Sequence, residues 1–521
     1  MVQFRNNAAR PIRTGADLHL LEWARRRTQG IIPEGNSVRD LLAGASDSEI
    51  TERRGLPMAA VRALRTFYSL PHDTEVCDGT ACHFNGAAQL AERLRSSRPI
   101  RTVRCLGHCF AAPAFRVGNS IFTRPADEPM AKWLDTIGNG SLLPASAPIP
   151  RASMADPSIV LRNLAGPRRR PPLEEYRLPD GETILGALEE TKLLGRGGAT
   201  FPTAAKWRAA RDADSTERYV VANGDEGDPG SYVDRLLLEE DPHAVLAGML
   251  ACARAINSRQ GVVYIRSEYP QAQRVMRTAI EEARGAGLLG DDFNVEVVSG
   301  AGSYVCGEET ALLNSIQGLR GEPRVRPPYP AQSGLWGKPT VVQNVETLAI
   351  VPSIVRTRLG SGTKAVSISG AVARPAIVEV RLGTPMIQIL EEGGLGAAPG
   401  RRWKMTLVGG PLGRVVPAAR FDTVLSFDSL PGMGHAGIVV FDESVSPRAL
   451  AEHVFAFAAA ESCGSCTPCR VGTSQLGAIR ERAVLEQLLL TLEMGSLCGF
   501  GAGVPRPIHD LLEHFGDEVL G

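Results

Sequence analysis

The chain has 521 residues, 57 basic and 57 acidic side chains, 43% hydrophobic and 22% charged residues, and ten cysteines. At roughly 150 residues per domain, this length predicts three to four domains of an ordinary globular protein. The balanced charge excludes a nucleic-acid binder working through a global basic field, the composition excludes a disordered acidic tail, and the cysteines are too few for a disulfide scaffold. The Arg-rich stretch Met1–Thr14 lacks the apolar run of a signal peptide. The longest apolar helical stretch, Ala244–Ala253, stops at Arg254, short of the roughly 18 to 20 residues of a membrane span. A cytoplasmic location is expected, where clustered cysteines bind metal or do redox chemistry.

In chain order, a helical pattern opens at Leu18, Leu20, Leu21 and Trp23 and continues through Val38–Leu42 and Met58–Tyr68. Strand-like runs follow at Thr74–Cys77 and Thr102–Cys105, with a helix at Gly86–Ser96 between them. A hairpin, Phe115–Phe122, turns on Gly118-Asn119. These make a small α/β unit ending near residue 138. The proline-rich stretch from Pro144 to Pro172 predicts an extended linker. Strands at Tyr219–Ala222, Val262–Ile265 and Phe293–Val298 alternate with helices at Pro242–Ile256 and Gln271–Arg284, a parallel βαβ pattern. Val366–Gly370, Ala376–Leu382 and Met405–Val408 predict a small mixed sheet. Ser446-Pro447 is an N-cap followed by a proline at the first helical position, and the helix it starts runs into a cysteine cluster.

Eight of the ten cysteines form two groups of four. The first is Cys77-x4-Cys82, then 22 residues, then Cys105-x3-Cys109; the second is Cys463-x2-Cys466-x2-Cys469, then 28 residues, then Cys498. Four thiolates are what a [2Fe–2S] or [4Fe–4S] cluster needs. Three closely spaced cysteines capped by a distant fourth fit a cubane better than zinc, whose structural sites come from two separated pairs. The first set is itself two such pairs, so spacing alone leaves both zinc and iron–sulfur open there. Cys252, on an apolar helix, reads as a packing residue. Cys306 reads as packing or spacing, or as tuning a group held by its loop.

Three Gly-rich loops stand at strand ends or helix starts. Leu194-Gly-Arg-Gly-Gly-Ala-Thr-Phe-Pro202 precedes a helical run with Lys206, and its backbone N–H groups could cradle phosphate, although any Gly-rich turn reads the same way. Lys206 lies four residues after Pro202 and leans back toward that turn, because helical side chains point N-terminally. Asn223-Gly-Asp-Glu-Gly-Asp-Pro-Gly230 follows a strand and could bind ribityl or ribose hydroxyls, or be a solvated acidic turn. Gly300–Thr310 joins glycines, Tyr304 and two carboxylates ahead of a helix. Three such loops in one α/β region point to a nucleotide site.

Gly195–Pro202, Asn223–Gly230, Tyr264-Ile-Arg-Ser-Glu-Tyr269, Gly300–Glu309, Asn344-Val-Glu-Thr347 and Glu461–Thr473 together resemble the NADH-binding flavoprotein subunit of complex I. Residues 1–138, with Thr66-Phe-Tyr68 and the first cysteine set, resemble its thioredoxin-like [2Fe–2S] partner. With both in one chain, the fusion resembles soluble diaphorases, in particular the beta subunits of NAD-dependent formate dehydrogenases. The resemblance implies an α/β multidomain fold: a thioredoxin-like [2Fe–2S] domain (1–138), a Pro-rich linker (139–172), a Rossmann-like FMN- and NAD(H)-binding domain (173–362), a ubiquitin-like β-grasp domain (363–430) and a C-terminal helical [4Fe–4S] domain (431–521). It implies [2Fe–2S] ligation by Cys77, Cys82, Cys105 and Cys109, and [4Fe–4S] ligation by Cys463, Cys466, Cys469 and Cys498. Gly195, Arg196, Gly197, Lys206, Asn223, Asp225, Tyr304, Gly307, Glu308 and Asn344 would face FMN; Phe201, Asp228, Glu309 and Tyr329 would lie toward NAD(H). Thr200, Asp228 and Gln343 stand where the family often has Gly, Glu and Asn.

A hydride donor and one-electron clusters need a flavin between them, so no general base is expected; Glu308 and Glu309 are candidates for orienting NAD(H). The sequence carries no recognisable molybdopterin signature. The resemblance therefore assigns formate oxidation to a molybdenum/tungsten alpha subunit with its own iron–sulfur clusters, in a hetero-oligomer. The alternatives are the diaphorase subunit of an NAD-reducing hydrogenase, fused NADH-binding subunits of complex I and, from another class, a zinc-bearing scaffold.

Overall fold

The computed structural model describes residues 42, 45–54, 56–68, 72–125, 128–138, 147–164, 176, 178–359 and 362–520. The expected helical pattern at Leu18–Trp23, most of Val38–Leu42 and much of the Pro-rich stretch lie outside these residues.

The N-terminal unit opens with a helix at Asp47–Arg54, followed by helix α1 (Met58–Phe67). Strands β1 (Thr74–Cys77), β2 (Arg101–Val103), β3 (Ala114–Val117) and β4 (Ser120–Thr123) form a sheet in the order β2-β1-β3-β4, with helix α2 (Ala87–Arg95) joining β1 to β2. The β1–β2 pair is parallel, and the β3–β4 hairpin turns at Gly118-Asn119 with Gly118 at positive φ. The α2 spacing buries Leu90, Ala91 and Leu94 against Val76, Phe115 and Trp133.

A short strand, β5 (Arg151–Ser153), emerges from the Pro-rich stretch. The central domain then runs through α3 (Thr203–Arg211), β6 (Tyr219–Gly224), α4 (Val233–Glu240), α5 (Pro242–Ile256), β7 (Gln260–Ile265), α6 (Pro270–Gly285), β8 (Asn294–Ser299), α7 (Glu309–Ile316), β9 (Thr340–Asn344) and α8 (Val345–Thr357). All pairs in this sheet are parallel, in the order β8-β7-β6-β9. Strands buried on both faces must be apolar throughout, and Val220, Val221, Ala222, Val262 and Val263 are fully buried. Helix α5 is buried nearly all round and starts with proline at its first position. A Cβ at its Gly248 would come within 2.0 Å of the Leu348 carbonyl on α8, so only glycine allows these two helices to pack this closely. The sheet order reverses between β6 and β9. Ligands of open parallel sheets bind at such a switch point, beyond the carboxyl ends of the strands.

A second, mixed sheet contains β10 (Thr363–Gly370), β11 (Ala376–Arg381), β12 (Trp403–Val408), β13 (Arg414–Pro417) and β14 (Ile438–Asp442) in the order β13-β12-β14-β10-β11-β5. It reaches beyond the expected 363–430 segment on both sides. Arg151–Ser153 pairs in parallel with β11, and Ile438–Asp442 is an inner strand between β12 and β10. The buried Glu379 on β11 secures the Pro-rich segment, accepting hydrogen bonds from Ser158 Oγ and the backbone N–H groups of Ile159, Val160 and Leu161. The chain ends in helices α9 (Pro447–Glu461), α10 (Thr467–Gln475), α11 (Arg482–Gly495) and α12 (Pro505–Phe515). Ser446 caps α9 by accepting from Ala449 N–H. No helix among the described residues is long and apolar enough to cross a membrane.

Candidate functional site

The three Gly-rich loops meet at the β6–β9 switch point. Asn223 and Asn344 are register partners at the ends of β6 and β9. Leu194–Pro202 closes on itself as an antiparallel bridge, with Gly195 N–H donating to Phe201 O at 3.0 Å. Thr200 in this loop sits at φ 50°, the left-handed region that favours glycine, which is the physical meaning of its departure from the related pattern. A Cβ on Gly197 would lie 3.0 Å from that of Asn344, and one on Gly227 would lie 2.7 Å from the Tyr304 ring. The loops are thus glycine-dependent at their points of closest approach.

Most of the polar residues expected to face a flavin already hold one another. Asn223 Nδ2 donates to Gly307 O (2.8 Å) and its Oδ1 accepts from Asp225 N–H. Lys206 Nζ donates to Glu309 Oε2 (2.9 Å) and to Val342 O (3.1 Å), so the lysine and the carboxylate expected on opposite halves of the site form one ion pair. Glu308 caps α7 by accepting from Thr310 and Ala311 N–H, and it pairs with Arg326, which also reaches Glu309. Asn344 caps α8 through Thr347 N–H and donates to Asp234 Oδ2 (2.6 Å). Arg196 is buried, its guanidinium sits 5.8 Å from the Phe427 ring, and the residue lines a cavity of about 450 Å³ with Leu194 of the same loop, Glu190, Lys192 and Arg358. Its backbone N–H stays with the site, donating to Thr347 Oγ1. Asp225 Oδ2 is buried with no hydrogen-bond partner, and burial pushes this carboxyl up to about 8. An orphan acceptor in a glycine-lined cleft fits a hydroxyl-bearing ligand. The rings of Phe201 (52% exposed) and Tyr329 (54%) stand free at the rim, where a planar ring can stack.

Sequence reasoning missed Glu226, Asp234 and His435, which with the expected Asp228 and Tyr304 form an acidic layer beneath the cleft. Glu226 is buried and accepts from Asp234 and Arg235 N–H; burial first, then the Asp234 charge, raises it to about 8. Asp234 itself is raised to about 6, chiefly by burial. Tyr304 Oη donates to Asp228 Oδ1 (2.5 Å), and His435, from the loop before β14, meets Asp228 Oδ2 at 3.0 Å. Only the acidic composition of Asn223–Gly230 hinted at this layer.

The first cysteine set lies against the Asn223–Gly230 loop. Its four thiols are 2% exposed or less. Cys105 and Cys109 Sγ are 3.5 Å apart, Cys77 is in hydrogen-bonding contact with Cys82 and Cys105, and Leu106 and Gly107 N–H donate to the Cys77 and Cys105 sulfurs. A Cβ on Gly107 would strike Tyr269, whose hydroxyl donates to Glu226 O at 3.4 Å. A Cβ on Gly79 would lie 3.3 Å from Pro229. The second set lies behind Tyr304. The Tyr304 ring packs edge-on to Phe457 and beside Phe500, in one cluster with Cys469, Cys466 and Cys498. Tyr304 N–H donates to Glu461, and Arg320 donates to Cys463 O. Backbone N–H groups point at sulfurs of the first set, and Leu497 N–H points at Cys466 Sγ (3.5 Å) in the second, the kind of donors that iron–sulfur ligands carry.

Thiol quartets on either side of a nucleotide cleft define a class: iron–sulfur flavoproteins that oxidise or reduce nicotinamide nucleotides. Three family models match in chain order. These are the thioredoxin-like [2Fe-2S] ferredoxin (residues 34–138), the Nuo51 FMN-binding domain (188–353) and the NADH-ubiquinone oxidoreductase-F iron-sulfur binding region (449–521). An NADH-quinone oxidoreductase subunit of Rhizobium meliloti is 39% identical over 67% of this chain and 90% of its own length. NADP-reducing hydrogenase subunit HndC of Solidesulfovibrio fructosivorans is 38% identical over 64% and 75%. A chain of an NAD+-reducing [NiFe]-hydrogenase, in a crystal structure of the H2-reduced state, matches with TM-score 0.82 and 31% identity over 93% of both chains. The chain belongs to the family of the NADH-ubiquinone oxidoreductase 51 kDa subunit. It is an NADH:acceptor oxidoreductase module with FMN, an NAD(H) site, one [2Fe–2S] and one [4Fe–4S] cluster.

Proposed function

We propose that the chain is the electron-transfer subunit of a cytoplasmic, hetero-oligomeric NAD-dependent formate dehydrogenase, with a molybdenum- or tungsten-containing alpha subunit as its partner. The observation that carries the diaphorase half of this reading is the packing of both thiol quartets onto loops of one cleft: Gly79 against Pro229, Gly107 against the Tyr269 ring that bonds Glu226 O, and the second quartet behind Tyr304. The formate half rests on the sequence resemblance of the fused chain. A second reading, the diaphorase subunit of an NAD-reducing hydrogenase, is favoured by the likeness to the hydrogenase chain along nearly its whole length.

In the proposed site, FMN supplies the exchange between hydride and single-electron transfer. The Gly195–Gly197 and Gly307 backbones cradle it, and the Lys206–Glu309–Arg326 triad fixes charge at its edge. Asn223, Asp225, Asn344 and the Glu308 cap hold the ribityl side, while Phe201 and Tyr329 stack NAD(H) and Asp228 orients it. Cys77, Cys82, Cys105 and Cys109 hold the [2Fe–2S] cluster, and Cys463, Cys466, Cys469 and Cys498 the [4Fe–4S] cluster. Residues 1–138, 173–362 and 431–521 then act as three electron-carrying modules, with 139–172 strapped onto a β-grasp domain centred on 363–430. The β-grasp reading is supported by the antiparallel β10–β11 pair and the parallel β10–β14 pair.

The test is purification with native partners, followed by NAD+ reduction with formate or with hydrogen. The formate reading requires formate-dependent NADH formation by the complex and none by the isolated chain. Hydrogen-dependent activity would replace it with the second reading.

A further inference from the structure

His435 lies in the loop that leads into β14 of the second sheet, 207 residues from Asp228, yet it reaches into the cleft of the first. Its ring is 14% exposed. Nδ1 is 3.0 Å from Asp228 Oδ2, and Nε2 is 3.8 Å from Asp234 Oδ2. The Nδ1 contact is a hydrogen bond and the Nε2 contact an ion-pair distance; a neutral imidazole has one donor and one acceptor nitrogen, whereas the imidazolium presents N–H to both carboxylates. The backbone is shaped for the approach. Gly410 and Gly434 both have positive φ, and Cβ atoms there would lie 3.0 Å and 3.7 Å from Asp228 side-chain atoms.

We propose that His435 is a positioning residue for nicotinamide nucleotide binding: as an imidazolium it clamps Asp228 and Asp234 together across the two sheets, and through Asp228 it fixes the Tyr304 hydroxyl. This deepens the reading above, because it rests on Asp228 lying on the NAD(H) side. The groups facing the ring are Asp228 and Glu226 from the 223–230 loop and Asp234 from α4. Behind Asp234 stand Asn344 and the Glu346 N–H, and the Glu346 carboxylate pairs with the buried Lys364 of β10. Tyr304 is the further partner of Asp228. Arg506, beside Gly432 of the same loop, points instead to Leu412 O. Burial alone would drive the imidazole neutral; the Asp228 hydrogen bond and the charges of Asp234, Asp228 and Glu226 overcome it and raise the group to about 9.

The experiment uses the full chain with its cofactors, His435→Gln, which keeps a hydrogen-bond donor without the charge, and Asp228→Asn. The first readout is NMR of protein carrying 13C-labelled histidine, with the His435 resonance assigned by its loss in the Gln variant from among nine histidines. It should titrate above pH 8 in the wild type and move to lower pH in Asp228→Asn. The second is the pH dependence of KM and kcat for NADH with a dye acceptor. At neutral pH, His435→Gln should raise KM about 10-fold or more while kcat changes by less than about 3-fold. The wild-type KM should climb as His435 deprotonates, and that limb should vanish in the variant. A His435 resonance that is neutral at pH 7, or a Gln variant with the wild-type KM and pH profile, overturns the proposal. A wild-type chain that binds no FMN overturns the functional reading instead, while the resonance still decides the clamp. If His435→Gln does not fold, the Asp228→Asn titration shift decides it.

Discussion

The two cysteine quartets hold the same number of thiols in opposite settings. The first is sealed: Cys77, Cys82, Cys105 and Cys109 are 0–2% exposed, and Phe110 beside them makes tilted ring contacts with His108 and Tyr232. The second opens outward, with Cys466 and Cys498 half-buried and Val471, Leu490, Met494 and Leu497 exposed on the same helical unit. A sealed cluster is part of the fold that surrounds it. An open one can be lost with less disturbance to its surroundings.

Removing one ligand from each quartet is the strongest way to break this comparison. Cys498→Ala should lose the cubane and keep FMN and the [2Fe–2S] cluster, leaving about two irons per chain by iron analysis and one cluster signal by low-temperature EPR. Cys105→Ala should leave about four irons, and it should also lower the melting temperature more than Cys498→Ala does. Equal losses of stability would show that the first quartet is not sealed into the fold.

Between the quartets, Lys206→Ala removes the cation that pairs with Glu309, and a charge-assisted bond from that cation to bound flavin is worth about 1.5 to 3 kcal/mol. FMN affinity, read by flavin fluorescence, should fall about 10- to 150-fold, with both clusters retained. Wild-type affinity would make the pair a purely structural one.

The acidic layer that joins the two sides predicts lability at alkaline pH. Asp225 and Glu226 are raised to about 8 and His435 to about 9, so the folded state holds protons that the unfolded chain has released. The carboxyl contributions to stability are lost as pH rises from about 4 to about 8, and that of His435 is lost between about 6.5 and about 9. The melting temperature should drop between pH 6.5 and 9.5, and less steeply above pH 8 in His435→Gln. The smallest effect is expected at the open rim. Met494 is 78% exposed, and Met494→Lys should change chain stability by no more than about 0.5 kcal/mol in denaturant unfolding.

What could be read from the sequence was local. The spacing of each quartet lies within a short segment, the parallel strands appear as short apolar runs, and the Ser446-Pro447 start of α9 is a neighbour-to-neighbour signal. What could not be read is long-range. Lys206 and Glu309 are 103 residues apart, and His435 and Asp228 are 207 apart. Nothing in either segment alone announces its partner. The strand Arg151–Ser153 is only three residues long and lies among prolines, so it becomes visible only once β11 presents an open edge. Arg196 shows the limit of motif reading: its backbone N–H bonds Thr347 Oγ1, while its guanidinium turns toward the Phe427 ring.

The most direct test of the central account is an anaerobic titration of the purified full chain with NADH, followed by visible absorbance and low-temperature EPR. The account predicts a brown protein in which NADH bleaches the flavin and brings up cluster signals, the open cubane's disappearing in Cys498→Ala and the sealed [2Fe–2S] cluster's in Cys105→Ala. A colourless, zinc-containing protein, or a coloured one whose flavin and clusters do not respond to NADH, would contradict it.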